Sequence, residues 1–215
     1  KRDMSTLHSE PVSGLLTNLF AQASNADSTL RDELAKLPEH ERSPMNPDYT
    51  SLYARARNYF LPVSKETGAL LYLLTRTCKA NAIVEFGTSF GISTIHMAAA
   101  LRDNGGGLLI GSEFEPSKAA RARENIVAAG LSDLVEIRDG DALESLSRDL
   151  PQRIDLVLLD GAKVLAGPDA SEVDLKRAPS SKLVYLDAPG YALPDEPKDT
   201  VRLRTFESPP GTMGN

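Results

Sequence analysis

Between Ala82 and Leu159, short apolar runs alternate with longer amphipathic segments, and this alternation constrains the fold more than any other feature. The apolar runs cover residues 82–86, 108–114, 134–137 and 155–159. The segments between them, 92–102, 117–129 and 142–150, place apolar residues at helical spacing. Strands that alternate with helices in this way form βαβ units, in which helices cover both faces of a mainly parallel sheet. The sequence therefore predicts a doubly wound α/β fold.

The two ends of the chain show other patterns of apolar and polar residues. Residues 11–37 carry apolar side chains at helical spacing, but the polar residues 25–28 favour two short helices over a single one. Ser64 is expected to cap a further helix. Residues 200–206 alternate strictly and predict a last, antiparallel strand. We therefore expect a helical extension or cap over residues 1–63, one domain over 64–206 and a disordered tail over 207–215.

Charge and composition narrow the expected partners. The net charge is −6, so the chain lacks the overall basic character that favours nucleic acid, and a small molecule is the expected partner. The sequence contains no run of eighteen apolar residues, so it predicts no membrane span. A single cysteine, Cys78, and the lack of a signal-like apolar segment predict a cytoplasmic protein. The N-terminal helices could pack against a second copy to form a homodimer.

The turn after the first predicted strand has the features of a nucleoside-binding site. Gly87 and Gly91 bracket this turn, and the next helix is predicted to begin near Ile92, with Ser93 in its first turn. A ligand at the carboxyl end of the strand would meet bare backbone and helix N-terminal N–H groups, an approach that a Cβ would block. Two glycines at this spacing also occur in simple βα turns, so other residues must distinguish the two interpretations.

Acidic residues on the predicted strands favour the interpretation of this turn as a nucleoside-binding site over that of a simple βα turn. Glu113 lies twenty-two residues after Gly91, at the end of the second predicted strand, where a carboxylate can accept both ribose hydroxyls. Glu85 lies inside the first strand, where a carboxylate is costly without a partner. A ligand ammonium or nearby backbone amides would supply that partner. After the third strand, residues 139–142 are predicted to cover an adenine edge, and a solvated Asp141 is the alternative.

The glycine spacing separates two classes of nucleoside cofactor. The turn reads Gly-Thr-Ser-Phe-Gly, not the Gly-x-Gly-x-x-Gly that lets a pyrophosphate approach the backbone. The sequence also lacks the Tyr-x-x-x-Lys pair that could carry short-chain dehydrogenase chemistry. S-adenosylmethionine has no phosphate, so the sparser glycine pattern fits it better than a nicotinamide dinucleotide.

Several stretches, in order, resemble class I S-adenosylmethionine-dependent methyltransferases, and within them the small O-methyltransferases related to catechol and caffeoyl-CoA O-methyltransferases. The matching stretches are residues 84–94, 113–116 and 155–163. Upstream, residues 61–64 resemble the segment that folds over the methionine moiety in that family. The resemblance covers roughly residues 45–165 and implies a Rossmann-like fold. It also implies methyl transfer from S-adenosylmethionine to an oxygen of a small acceptor such as a phenol.

Carried over position by position, the resemblance implies a set of site residues. Those expected around the cofactor are Val63, Glu85, Gly87, Ser89, Ser93, Glu113, Ala142 and Asp160. Within this set Glu113 would hold the ribose and Ala142 would lie by the adenine. Asp160 also matches a ligand of a divalent metal such as Mg²⁺, and Lys163 matches the lysine that serves as general base. A phenol with a pKa near ~10 is mostly protonated at neutral pH, so a metal and a base would both help to form the phenolate.

After Val164 the sequence departs from the pattern of that family. The fifth strand of the family ends in an Asp-Asn pair that completes the metal site, and no Asp-Asn pair follows here. In one alignment residues 182–187 form this strand, which offers Asp187 as a metal ligand and places Ala188 where Asn is expected. In another alignment the strand is missing. A second functional hypothesis therefore stays open, namely a methyltransferase-like module that binds the cofactor or a partner without turnover.

Overall fold

A computed structural model describes residues 5–36, 57–160, 184–187 and 201–204 of the chain. The tail predicted to be disordered, residues 207–215, lies outside these ranges. The elements in chain order are a 3₁₀ turn (Thr6–His8), α1 (Val12–Lys36), α2 (Lys65–Thr77), β1 (Ala82–Phe86), α3 (Ile92–Asn104), β2 (Leu108–Glu113), α4 (Pro116–Ala128), β3 (Val135–Asp139), α5 (Ala142–Ser145), β4 (Leu156–Leu159), β5 (Val184–Asp187) and β6 (Val201–Arg204). Within these ranges, no helix has both the length and the apolar character that crossing a membrane requires.

Four of the strands form a parallel sheet in the order β3-β2-β1-β4. β1 pairs with β2 on one side and with β4 on the other, so the strand order reverses beside β1. The prediction of a doubly wound α/β fold with a mainly parallel sheet is therefore confirmed. In open sheets of this kind, ligands bind outside the carboxyl ends of the strands at the point of reversal. That point lies between the ends of β1 and β4.

Alternate residues along the strands divide the core between the two faces of the sheet. One face is buried under α1 to α4 and includes Ile83, Leu109, Leu156 and Leu158. The opposite face includes Val84, Ile110 and Val157, which pack with Ala142 and Leu146. Because β1, β2 and β4 are buried on both sides, each appears in the sequence as a nearly continuous apolar run, whereas the edge strand β3 is only partly buried and carries charged residues. All four strands were predicted within a residue or two of their observed bounds.

Helix α1 is continuous, whereas the polar residues 25–28 predicted an interruption between two short helices. The carboxylate of Asp27 explains the difference, because it is buried and accepts hydrogen bonds from outside its own helix. Its partners are the backbone N–H groups of Phe60, at 2.8 Å, and Leu61, at 3.0 Å. A polar residue with such tertiary partners has no need to end the helix. The prediction of two helices was wrong.

Helix α5 is shorter than the predicted segment 142–150, since it ends at Ser145. The guanidinium of Arg138 donates hydrogen bonds to the backbone carbonyl groups of Ser145, Arg148 and Asp149, at 2.7–3.0 Å. These bonds satisfy carbonyl groups that a longer helix would have paired internally. A cation from the neighbouring strand β3 therefore stabilises the irregular chain that follows α5.

The last two described strands correct one prediction and support another. β5 lies inside residues 182–187, so the structure agrees with the alignment that places a strand there rather than with the one that lacks it. β6 pairs with β5 in parallel, so the predicted antiparallel direction was wrong. Alternation of apolar and polar residues is the same in both directions, and the thirteen residues 188–200 are enough for the crossover that a parallel pair requires.

The contact between α2 and α3 generates a prediction about stability. A Cβ added at Gly68 would lie 2.6 Å from Nε2 of the buried His96, whose Nδ1 is bonded to the Ile92 carbonyl group at 2.7 Å. We expect Gly68→Ala to lower the free energy of unfolding by about 1–2 kcal/mol, because overpacking outweighs the gain of about 1 kcal/mol in helix propensity. Denaturant unfolding measures this change.

The same experiment has an internal control. In a His96→Ala background the ring is absent, so Gly68→Ala should be neutral or stabilising. Leu73→Ala, at a position that is 58% exposed on the same helix, should change the free energy of unfolding by less than about 0.5 kcal/mol. An equal effect of Gly68→Ala with and without the His96 ring would contradict this account of the helix contact.

Candidate functional site

A cleft with about 230 Å³ of empty space opens where the carboxyl ends of β1 and β4 meet. Its walls come from residues 60–63, which we call the strap, from the turn after β1, from the start of α3 and from Asp160. The lining residues are Phe60, Leu61, Pro62, Val63, Gly87, Thr88, Ser89, Phe90, Ile92, Ser93 and Asp160. Five of the eight residues predicted around the cofactor are among them, from three separate stretches of the sequence. The cleft therefore lies at the point of strand reversal that the fold predicts for a ligand.

The turn has a left-handed backbone at three positions. The φ angles are 93° at Gly87, 49° at Ser89 and 86° at Gly91. A Cβ at Gly91 would meet nothing closer than 3.6 Å, so the glycine is required there by the backbone conformation and not by lack of space. The N–H groups of Gly87 and Thr88 both donate to the Ser112 carbonyl group, at 3.1 and 3.0 Å. These bonds hold the turn against the end of β2.

Glu85 lies beneath this turn and is fully buried. One carboxylate oxygen accepts the Ser93 hydroxyl at 2.5 Å, and the other accepts the hydroxyls of Thr94, at 2.5 Å, and Thr88, at 3.1 Å. Burial raises the pKa of Glu85, and the three hydroxyl donors oppose that shift. The sequence predicted a ligand ammonium or nearby backbone amides as partners of this carboxylate. In the structure, side-chain hydroxyl groups of the protein itself are its partners. Its position below the cleft lining makes Glu85 a support for the turn.

Glu113 ends β2 beside the same turn and is buried. Its Oε2 accepts the Ser89 N–H at 2.7 Å, and its Oε1 accepts the Glu115 N–H at 2.9 Å. A carboxylate can accept about four hydrogen bonds, so these two leave capacity for the hydroxyls of a ribose. The sequence predicted that Glu113 would hold a ribose, and the structure places its carboxylate in direct contact with the glycine turn.

A stacked aromatic pair joins the strap to the turn. The rings of Phe60 and Phe90 lie 4.1 Å apart, and the Ser89 hydroxyl donates to the Phe60 carbonyl group at 2.8 Å. The ammonium of the buried Lys118 lies 5.6 Å from the centre of the Phe90 ring. Burial lowers the pKa of Lys118, while Glu113, Asp27 and Glu115 raise it. Sequence reasoning missed Asp27 and Lys118, because single charged residues on amphipathic helices are usually solvated.

The remaining predicted residues occupy different positions. Ala142 begins α5 and is buried against the second face of the sheet, outside the described cleft lining. Its neighbour Asp141, for which the sequence left an adenine contact and a solvated side chain open, caps α5 by accepting the Leu143 N–H at 2.8 Å. Asp160 is exposed, lines the cleft and follows β4, where its N–H donates to the Phe86 carbonyl group at 2.8 Å.

The predicted metal site has one fully described member, Asp160. Lys163 lies outside the described residues, and Asp187 is described as the end of β5 without its side chain. Across the described ranges there is no cluster of three or more His, Cys, Asp or Glu side chains that could hold a metal ion. The described residues alone therefore do not make a Mg²⁺ site, and Asp187 and Lys163 stay predictions.

Known proteins resemble part of this chain. A family model described as a methyltransferase domain matches residues 84–174, which include the turn and Glu113. A catechol O-methyltransferase from Niastella koreensis is 39% identical over 117 residues, 53% of this chain and 52% of the relative. One from Mycobacterium tuberculosis is 35% identical over 103 residues, 48% of this chain and 46% of the relative. Over this part, the chain is similar to class I S-adenosylmethionine-dependent O-methyltransferases.

A solved structure shares the fold of this chain. Cofactor-bound Rv0187 from MTB superposes with a TM-score of 0.51 and is 26% identical, covering 80% of this chain and 63% of that one. The chain spans about half the length of the curated relatives it matches. The likeness to methyltransferases therefore applies to part of the chain, and the activity of this chain is a matter for proposal.

The raised pKa of Glu85 predicts a dependence of stability on pH. A carboxyl group with a folded-state pKa above its ordinary value near 4.5 binds its proton more tightly in the folded state. Its contribution to stability is therefore complete below about pH 4.5 and is lost as the pH rises through the folded-state pKa. Glu85→Gln removes this titration. We expect the free energy of unfolding of the parent, minus that of Glu85→Gln, to fall as the pH rises above about 4.5.

Denaturant unfolding of both proteins at a series of pH values measures this difference. Glu124→Gln is the matched control, because Glu124 is exposed on α4 and pairs only with the exposed Arg121 among the ion pairs of the described chain. Its difference from the parent should stay constant. If the free energy of unfolding of the parent minus that of Glu85→Gln stayed constant or rose with pH, the raised pKa assigned to Glu85 would be contradicted.

Proposed function

We propose that this chain binds S-adenosylmethionine in the cleft between β1 and β4 and transfers its methyl group to an oxygen of a small acceptor. The observation that carries the proposal is the direct contact between the glycine turn and the acidic end of β2, through the Ser89 N–H and Glu113. The family match over residues 84–174 supports it. The domain division expected from the sequence, with residues 64–206 as the cofactor domain and 1–63 as its cap, is part of the proposal.

The chemical groups that line the cleft suit this cofactor. The left-handed turn exposes bare backbone at Gly87, and Glu113 keeps acceptor capacity for ribose hydroxyls. The strap and the start of α3 enclose the space next to the turn. In our proposal this space, between the strap and the turn, receives the amino-acid end of the cofactor.

The chemistry that the cofactor supplies is a methyl group on a positively charged sulfur, which an oxygen nucleophile attacks in line. The task of the chain is then to bind both molecules, orient them and exclude water. The turn, the strap and Glu113 serve the cofactor in this scheme. Asp160 is exposed at the end of β4 and lines the cleft wall. In this scheme it is the described side chain that faces the acceptor.

The acceptor in our proposal is a phenol, in keeping with the names of the two relatives described above. A phenolic hydroxyl must lose its proton as the methyl group arrives, and Lys163 is the proposed base. Mg²⁺ held by Asp160 and Asp187 would stabilise the negative oxygen, since carboxylate oxygens are suitable ligands for this ion. These assignments rest on the resemblance of residues 155–163 to the metal-dependent members and on the place of Asp160 in the cleft. A homodimer formed through the N-terminal helices belongs to the same set of proposals.

Calorimetry with S-adenosylhomocysteine tests the binding half of the proposal. The parent should bind, and Glu113→Ala should bind at least about tenfold more weakly, because a charged acceptor for two hydroxyls is lost. Glu124→Ala, an exposed carboxylate on α4, should bind as the parent does. An absence of binding by the parent would overturn the proposed function, and unchanged affinity in Glu113→Ala would overturn the ribose assignment.

Turnover of a panel of phenols, catechol included, tests the catalytic half. Lys163→Ala should lower kcat by about 10²–10⁴-fold, the usual contribution of a general base, with no change in the affinity for S-adenosylhomocysteine. EDTA should abolish turnover, and added Mg²⁺ should restore it. Full turnover in EDTA would remove the metal from the proposal, and full turnover of Lys163→Ala would remove that residue as the base.

A further inference from the structure

Asp27 is a charged residue in the interior of a helix, and its side chain is only 8% exposed. It lies in α1, yet the two backbone groups that it binds belong to a segment more than thirty residues later in the sequence. A buried carboxylate is costly unless its hydrogen bonds are made, so its presence here needs a reason. The reason is found in the segment that Asp27 binds, which is the first half of the strap.

The strap contains a strained residue. Leu61 has a φ of 46°, in the left-handed region that is unfavourable for a residue with a Cβ. Its side chain is 53% exposed, so burial of the leucine does not explain the conformation. Asp27 binds the N–H of Leu61 and the N–H of the residue before it, one with each carboxylate oxygen. Two bonds to successive peptide groups fix the orientation of both. Strained residues held in this way are frequent at ligand sites.

The same peptide is held from its other side by the cofactor turn. The Leu61 N–H donates to Asp27 at 3.0 Å, and the carbonyl group of the same peptide, that of Phe60, accepts the hydroxyl of Ser89 at 2.8 Å. The Phe60 ring stacks on Phe90 of the turn. One residue of the strap therefore connects α1 with the turn. Lys118 adds an electrostatic connection, because its buried ammonium interacts with both Asp27 and Glu113.

We propose that Asp27 is a positioning residue for the cofactor cleft, which acts by holding the strap against the turn. The inference rests on the proposed function, since the strap is assigned there to the amino-acid end of the cofactor. It goes beyond that function by giving helix α1 a part in cofactor affinity. Without the carboxylate, Leu61 leaves the left-handed conformation, and the cleft wall opposite Gly87 and Ser89 is no longer fixed before binding. The cofactor must then order the strap itself, which weakens binding.

The test compares Asp27→Asn with a matched control at the opposite end of β1. Asp155 is 7% exposed, and its Oδ2 likewise accepts two successive backbone N–H groups, those of Asn81 at 2.8 Å and Ala82 at 3.1 Å. Asp155→Asn therefore makes the same chemical change far from the carboxyl end of the strand, where the cleft lies. Both variants should unfold at lower denaturant concentration than the parent. Affinity for S-adenosylhomocysteine is then measured by calorimetry at a temperature at which all three proteins are folded.

We expect Asp27→Asn to bind S-adenosylhomocysteine about five- to tenfold more weakly than the parent, and Asp155→Asn to bind it as the parent does. Hydrogen exchange at the amides of Phe60 and Leu61 should be faster in Asp27→Asn and unchanged in Asp155→Asn. Equal affinity of the two variants would overturn the positioning role. Failure of the parent to bind would overturn the proposed function instead, and the exchange rates would still decide whether Asp27 holds the strap.

A further measurement on the parent keeps the inference testable if Asp27→Asn does not fold. In the free parent, the amides of Phe60 and Leu61 should exchange slowly, and S-adenosylhomocysteine should slow them further, more than it slows the amides of Asn81 and Ala82. Fast exchange at residues 60 and 61 in the free parent would show that the strap is not held by Asp27. Equal protection of both pairs of amides by the ligand would show that the strap is not part of the site.

Discussion

The cofactor cleft depends on the way in which the chain leaves β1. At that point the fold buries the carboxylate of Glu85 completely, which is unfavourable unless hydrogen bonds replace those of water. The replacements are hydroxyls from Thr88 in the turn and from Ser93 and Thr94 in the first turn of α3. The bonds that satisfy Glu85 therefore also fold the chain back over the end of the strand. A turn in this conformation presents the Ser89 N–H to Glu113.

Two further carboxylates repeat this principle on either side of the turn. Glu113 binds the backbone of the turn, and Asp27 binds the backbone of the strap. In each case a buried negative charge is satisfied by backbone N–H groups, and both carboxylates raise the pKa of the buried Lys118. The walls of the cleft are thus fixed by the fold. Preorganisation of this kind leaves less ordering for a ligand to bring about when it binds.

The sequence was a good guide where local pattern and fold agree. The apolar runs located β1, β2 and β4, because strands buried on both faces contain few polar residues, and a shorter run located the partly buried β3. The spacing from Gly91 to Glu113 placed an acidic residue at the end of β2, beside the turn. Prediction failed where partners are distant or where the pattern carries no direction. Asp27 appeared to interrupt a helix because its partners lie thirty-three and thirty-four residues away. The alternation in β6 could not distinguish a parallel from an antiparallel strand. The pairing of Asp160 with Asp187 and the role of Lys163 are still predictions.

A crystal structure of the chain with S-adenosylhomocysteine tests the central claim, that the turn after β1 is the cofactor site. The account predicts the amino-acid end of the ligand between the strap and residues 87–91, with the ribose hydroxyls within hydrogen-bond distance of Glu113. Ligand density elsewhere on the molecule, or a ribose without contact to Glu113, would contradict it.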